Sequence, residues 1–166
     1  MNMLRSLGMH YTLPNQAFLH RSRHAHILHC TFQLVSITAG MVAIIPDAIV
    51  IATTHADEKD IKKITALCDE VEELINNHED HTQKDIEFHT AIAMSSKNVV
   101  VPRLIPVINS SIPLFVEKTG GTLHEETIET HREIADAIAS HDTLRAQDAM
   151  YLHLVYNRKR IQMMKK

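Results

Sequence analysis

The chain has no tryptophan, only four glycines and only two cysteines in 166 residues. Cys30 and Cys68 make neither a disulfide framework nor a CxxC pair, which points to a reducing, cytoplasmic setting. Scarce glycine, with abundant Ala, Ile, Leu, Glu and Lys, leans towards helix. No apolar run is long enough for a membrane span, which needs roughly 18–20 residues. The most apolar stretch, Met41 to Ala52, is interrupted by Pro46-Asp47, so no membrane partner is expected. No apolar signal region precedes the polar run that starts at Pro14. A net charge of -3 gives no global reason to bind nucleic acid or an anionic surface.

What is present is an ordinary globular balance, 45% hydrophobic and 22% charged, with length for one domain and a real core. Thirteen histidines are the one unusual count. With so many, a single histidine is incidental, and only a constellation carries meaning. Residues 1–40 read as an atypical N-terminal arm with no recognisable helix-turn-helix. Its cluster of His20, His24, His26 and His29 with Cys30 is taken as part of that arm rather than as a metal-binding tract.

From residue 41 the pattern is helical. Met41 to Thr54 is apolar, with Pro46 kinking it or in its first turn. Asp57 reads as a cap for a second helix, in which Ile61, Ile64, Leu67, Val71 and Ile75 recur at helical spacing. A third helix is predicted from about Thr82 to Ser95. A fourth runs from about Val99 to Val116, with kinks expected at Pro106 and Pro113. After Gly120-Gly121, Thr122 to Glu125 reads as a capping box opening a fifth helix to about Ser140. Asp142 caps a sixth, which ends in the basic tail. The fold class is therefore all-α, an antiparallel bundle of about six helices.

The chemistry centres on Asp85 and His89, four residues apart and hence on one helical face. In the fifth helix His131 shares a seam with Ile128, Ile134 and Ile138. In the sixth, His153 shares one with Ala146, Met150 and Asn157. Burying three unpaired imidazoles and a carboxylate is expensive. The least costly arrangement brings Asp85, His89, His131 and His153 together around one divalent ion in the core. Three nitrogens and one carboxylate oxygen suit Zn, Ni, Fe or Mn and leave open positions for water or a ligand carboxylate. The bland alternatives are satisfied core histidines and an Asp85 that serves only the helix start. Arg103, Asn109, Ser110 and Asn157 are candidate effector contacts; helix bends and interhelical hydrogen bonds are the competing reading for the first three. His78 and His81 read as solvated, His55, His124 and His141 as surface, and Arg132 as a partner for an acid.

The string Asp85-Ile-Glu-Phe-His89, then Thr130-His131-Arg-Glu-Ile and Ala149-Met-Tyr-Leu-His153-Leu, resembles the FCD domain. This is the effector-binding domain of GntR-type transcription regulators of the FadR subfamily. Ile45-Pro46 to Ala52 and Ala56 to Ile61 resemble its first helix and the entry to its second. The resemblance implies a metal held by Asp85, His89, His131 and His153, a small carboxylic acid effector beside it, and a homodimer. It also implies that DNA is bound only through a winged-helix domain. No such domain is recognised here, so the DNA-binding part is expected to be missing or truncated. Family members usually carry an Arg about a turn before the Pro46 position, where this chain has Met41 to Ile45. Two other readings stand beside it: a mononuclear metal-dependent hydrolase, with Glu87 as the nearest base in sequence, and a metal-free dimerisation module. Neither a Glu-x-x-His pair nor HExxH is present, and no enzyme activity is expected.

Overall fold

The computed structural model describes residues 39–119 and 122–163. The arm expected over 1–40 lies outside the described residues except for positions 39 and 40, which already belong to a helix. Among the described residues there are six α-helices and no strand. They are α1 (39–55), α2 (Glu58–Asn76), α3 (Thr82–Ser95), α4 (Ile105–Thr119), α5 (His124–Ala139) and α6 (Thr143–Met163).

Local chemistry explains most boundaries. Asp57 caps α2 by accepting from the backbone N–H groups of Lys59 and Asp60, each at 2.9 Å, while Asp60 returns the favour to the Asp57 N–H. Lys97 binds both carboxylates and ties the end of α3 to the start of α2. Asp142 accepts from the Arg145 N–H at 3.0 Å and opens α6. With glycine so scarce, three helices end on non-glycine residues in the left-handed region: His78 (φ 59°), Lys97 (φ 50°) and His141 (φ 54°). At His78 and His141 the following N–H reaches back five residues, to Leu74 and Ala137, as a Schellman ending requires.

Two expectations are corrected. The fourth helix is split: Val101–Leu104 is a 3-10 turn carrying Pro102, and α4 starts at Ile105. Pro106 therefore falls in the first turn of α4, where a missing N–H costs nothing, and only Pro113 lies inside the helix. The fifth helix starts at His124, with Leu123 in the cap position and no side-chain cap bond, rather than with the box expected at Thr122 to Glu125.

α2 and α3 form one antiparallel hairpin and α5 and α6 another; α2 packs on α5, and α4 bridges α3 and α6. α1 runs through Pro46 and buries Ile49, Ala52 and Thr53. It is fastened by the His141 ring nitrogen on the Thr53 carbonyl (2.8 Å) and by Gln147 on Asp47 (2.8 Å). The seams of α2, α3, α5 and α6 meet in one core of Ile64, Phe88, Ile134, Ile138, Met150 and Ile161. Each such side chain contributes about 1.5–3 kcal/mol by leaving water. This core fixes the facing sides of α3, α5 and α6, and those sides carry the polar residues described next.

Candidate metal centre

The four-residue spacing in α3 stacks Asp85 and His89 on the side that faces α5 and α6. His131 comes from the middle of α5 and His153 from the middle of α6. All four are buried, His131 to 1% exposure. Asp85 Oδ1 lies 3.5 Å from His89 Nε2 and 3.4 Å from His131 Nε2. The ring centroids of His89, His131 and His153 are 4.8–5.3 Å apart. One ligand nitrogen from each lies within 4.8 Å of the other two. A single ion about 2.1 Å from each nitrogen would span that set with a modest inward movement of the rings.

Asp85 is not needed at the helix start. Asp80 does that work, accepting from the Thr82 N–H at 3.0 Å and its hydroxyl at 2.6 Å. Asp85 Oδ1 and both ring nitrogens of His131 are buried with no hydrogen-bond partner among the described residues. Groups left in that state cost about 1–3 kcal/mol each, so the cluster is expensive unless something occupies its centre.

The electrostatics point the same way. Burial alone would raise the Asp85 pKa, but His89, His131 and His153 around it hold it below the usual carboxylate range. Burial pushes His131 well below its ordinary value and His153 down to about 4. The cluster thus sets a buried carboxylate against two imidazoles whose protonation burial disfavours. A bound divalent ion would suit both.

Thr130 sets how His153 is presented. Its hydroxyl has one proton, which goes to the Glu126 carbonyl at 2.7 Å. It then accepts from His153 Nδ1–H at 3.0 Å, which leaves the Nε2 lone pair for the centre. Phe88 stacks on His131 at 4.5 Å and fixes that ring's plane.

A cavity of about 50 Å3 adjoins the cluster. Asp85, His89 and His153 form part of its wall, with His81, His124, Thr127 and Asn157. Met41 and Ile45 of α1 and Ile108, Ile112 and Phe115 of α4 form the apolar wall opposite. At about 10–15 Å3 per water, it has room for several waters or for a short organic acid.

A family model for the FCD domain matches residues 40–156. The chain belongs to the FCD-domain family. It is 30% identical over 138 residues to the uncharacterized HTH-type transcriptional regulator YcbG of Bacillus subtilis (strain 168), covering 79% of this chain and 55% of that protein. Among solved structures it is similar to Streptococcus agalactiae GntR, with a TM-score of 0.67 and 26% identity, over 78% of this chain and 60% of that one. The chain thus spans somewhat more than half the length of these relatives.

Within this FCD domain, the residues expected as effector contacts, Arg103, Asn109 and Ser110, lie outside the lining of the cavity. The inward stripe of α4 is Ile108, Ile112 and Phe115, and at 100° per residue Ser110 turns away from it, whereas Asn109 shares the side of Val116 and keeps its Oδ1 buried without a partner among the described residues. Ser110 bonds the Val107 carbonyl on the exposed face, and Arg103 is exposed on the 3-10 turn. Asn157 does line the cavity, with its amide 3.4 Å from His153 Nε2. His81 and His124 were expected in solvent. Instead His81 is 7% exposed, His124 is half-buried, and both line the cavity. The sequence signal for them is an extension of seams already recognised: His81 is one turn before Asp85, and His124 is two turns before His131. His55, His78 and His141 are exposed as expected. Arg132 pairs with Asp69 and Glu72 on α2, also as expected.

Proposed function

We propose that this FCD domain is the effector-sensing part of a GntR-type transcription regulator. Asp85, His89, His131 and His153 hold one divalent ion, Zn, Ni, Fe or Mn, which supplies a fixed positive charge and an open position for the carboxylate of a small acid. The observation that carries the reading is the convergence of three imidazoles and one carboxylate, buried and with orphaned polar atoms, at the edge of a cavity of acid-sized volume.

The bundle suggests how binding becomes a signal. The ligand side of the cavity is built by α3, α5 and α6, and the opposite wall by α1 and α4. An acid bound to the ion touches both walls and favours the arrangement in which they close on it. α1 is the helix nearest the N-terminal residues, so its position is the natural output. Whatever DNA-binding unit acts with this domain, and the homodimer in which it acts, would respond to that shift. The setting we propose for such a regulator is cytoplasmic. Among the described residues no helix is long and apolar enough to cross a membrane.

Hydrolysis at the same ion has little support. The nearest base in sequence, Glu87, is tied to Gln83 and Lys84 on the outer face of α3.

The test is elemental analysis of the purified protein, then calorimetric titration with small monocarboxylic acids before and after chelation. About one ion per chain and acid binding that disappears on chelation are expected. Acid binding that survives chelation unchanged would remove the ion as anchor.

A further inference from the structure

The geometry points to a second polar subsite in the effector cavity, formed by His81 and His124. It would receive a hydroxyl or carbonyl oxygen carried by the acid beyond its metal-bound carboxylate. This deepens the proposed function and rests on it.

His81 ends the loop before α3, and His124 starts α5. Their rings meet edge to face, with centroids 5.7 Å apart, across the gap between the two helices. His81 is 7% exposed, and no hydrogen bond fixes either ring among the described residues. Several other polar groups of this fold are tied down: the His141 ring nitrogen by Thr53, Arg132 by two carboxylates, and the first turns of α2 and α3 by Asp57 and Asp80. A deeply buried imidazole left without a partner, on the wall of the effector cavity, is a group waiting for a ligand atom.

The chemistry of that atom follows from what else is there. No Lys or Arg is among the described side chains lining the cavity. A second carboxylate would therefore be buried without a permanent counter-charge, which is costly. Burial, with His81 and His78 nearby, also lowers the pKa of His124. A neutral imidazole offers one N–H and one lone pair, which is what a hydroxyl group needs. The subsite thus selects short hydroxy- or keto-monocarboxylates over di- and tricarboxylates.

The experiment compares matched acids on the metal-loaded protein by calorimetry at pH 7.5: 3-hydroxybutanoate against butanoate, and 3-hydroxypropanoate against propanoate. Succinate serves as the dicarboxylate. His124→Ala is the main variant, because His124 is only half-buried; His81→Asn/His124→Ala is the second, with thermal melting to establish that each is folded. The wild type should bind each hydroxy acid at least about tenfold more tightly than its partner, the worth of one good hydrogen bond. Succinate should bind more weakly than either hydroxy acid. In His124→Ala the preference for the hydroxy acid over its matched partner should fall to within about twofold. Equal binding of the matched acids by the wild type overturns the subsite but leaves the metal-anchored acid site standing. A preference that persists undiminished in both folded variants belongs to chelation at the ion and also overturns it. If none of these acids binds the metal-loaded protein, the acid-sensing reading falls, and the subsite with it.

Discussion

Removing the ion should leave a protein that is destabilised by mild acid, and His153 sets the scale. Its folded pKa is about 4, against 6.5 for an ordinary histidine, and burial is the main cause. The sign follows from proton counting. Between those values the unfolded chain holds a proton on His153 that the folded chain does not, so acid favours unfolding. The contribution is fully present above pH 6.5 and is lost as pH falls towards 4. Going from pH 7 to pH 5 should cost about 2 kcal/mol for His153 alone. His131, depressed in the same direction by its deeper burial, adds to this. Asp85 enters only at more acidic pH, and with the same sign: its folded pKa lies below the unfolded value, so acid again favours the unfolded chain.

The assay is urea denaturation of the chelated protein at pH 7 and pH 5, in the wild type and in His153→Gln. The difference between their pH responses isolates this residue from the other twelve histidines. A loss of about 2 kcal/mol is a large share of the 5–15 kcal/mol that holds a typical domain. An equal pH response in the two proteins would mean that His153 titrates normally. The picture of a dry cluster that needs a cation would then be wrong.

Three further outcomes are expected. Asp85→Asn should weaken metal binding at least about 100-fold in competition with a chromophoric chelator, yet leave the chelated protein as stable as the wild type or more so, because a buried charge is gone. Thr130→Val should weaken metal binding about tenfold and Thr130→Ser should restore it, since only the hydroxyl orients His153; equal affinities in all three proteins would leave Thr130 with a packing role alone. His78→Gly should raise unfolding stability by about 0.5–1 kcal/mol by removing the left-handed penalty, whereas His141→Gly should gain less, because it also loses the bond to Thr53.

The helices and the convergence of Asp85, His89, His131 and His153 were both legible in the sequence, for a common reason. A side chain every three or four residues lands on one face, so the seam around Phe88, the one through Ile134 and the one through Met150 each declared which of their polar members must be inside. What could not be read is how far the inside extends along a helix. His81 and His124 stand at helix starts, where composition turns polar and solvent is the ordinary expectation. They are covered because α3 and α5 begin beside each other and because α1 and α4 close the cavity over them, which is a property of the packing and not of either segment. Arg103, Asn109 and Ser110 stood out for the opposite reason: they are polar residues in an apolar stretch, and polarity there suggested a purpose. The register of α4, set by Ile108, Ile112 and Phe115, turns Ser110 away from the cavity, while Asn109 stands beside the wall without lining it. The polar half of this cavity therefore comes from α3, α5 and α6, which carry the proposed metal ligands, and the described side chains of α4 that line it are apolar. No charged residue is among the described side chains of α4 that line the cavity. This places the burden of selectivity on the size of the space and on the two imidazoles at its far end.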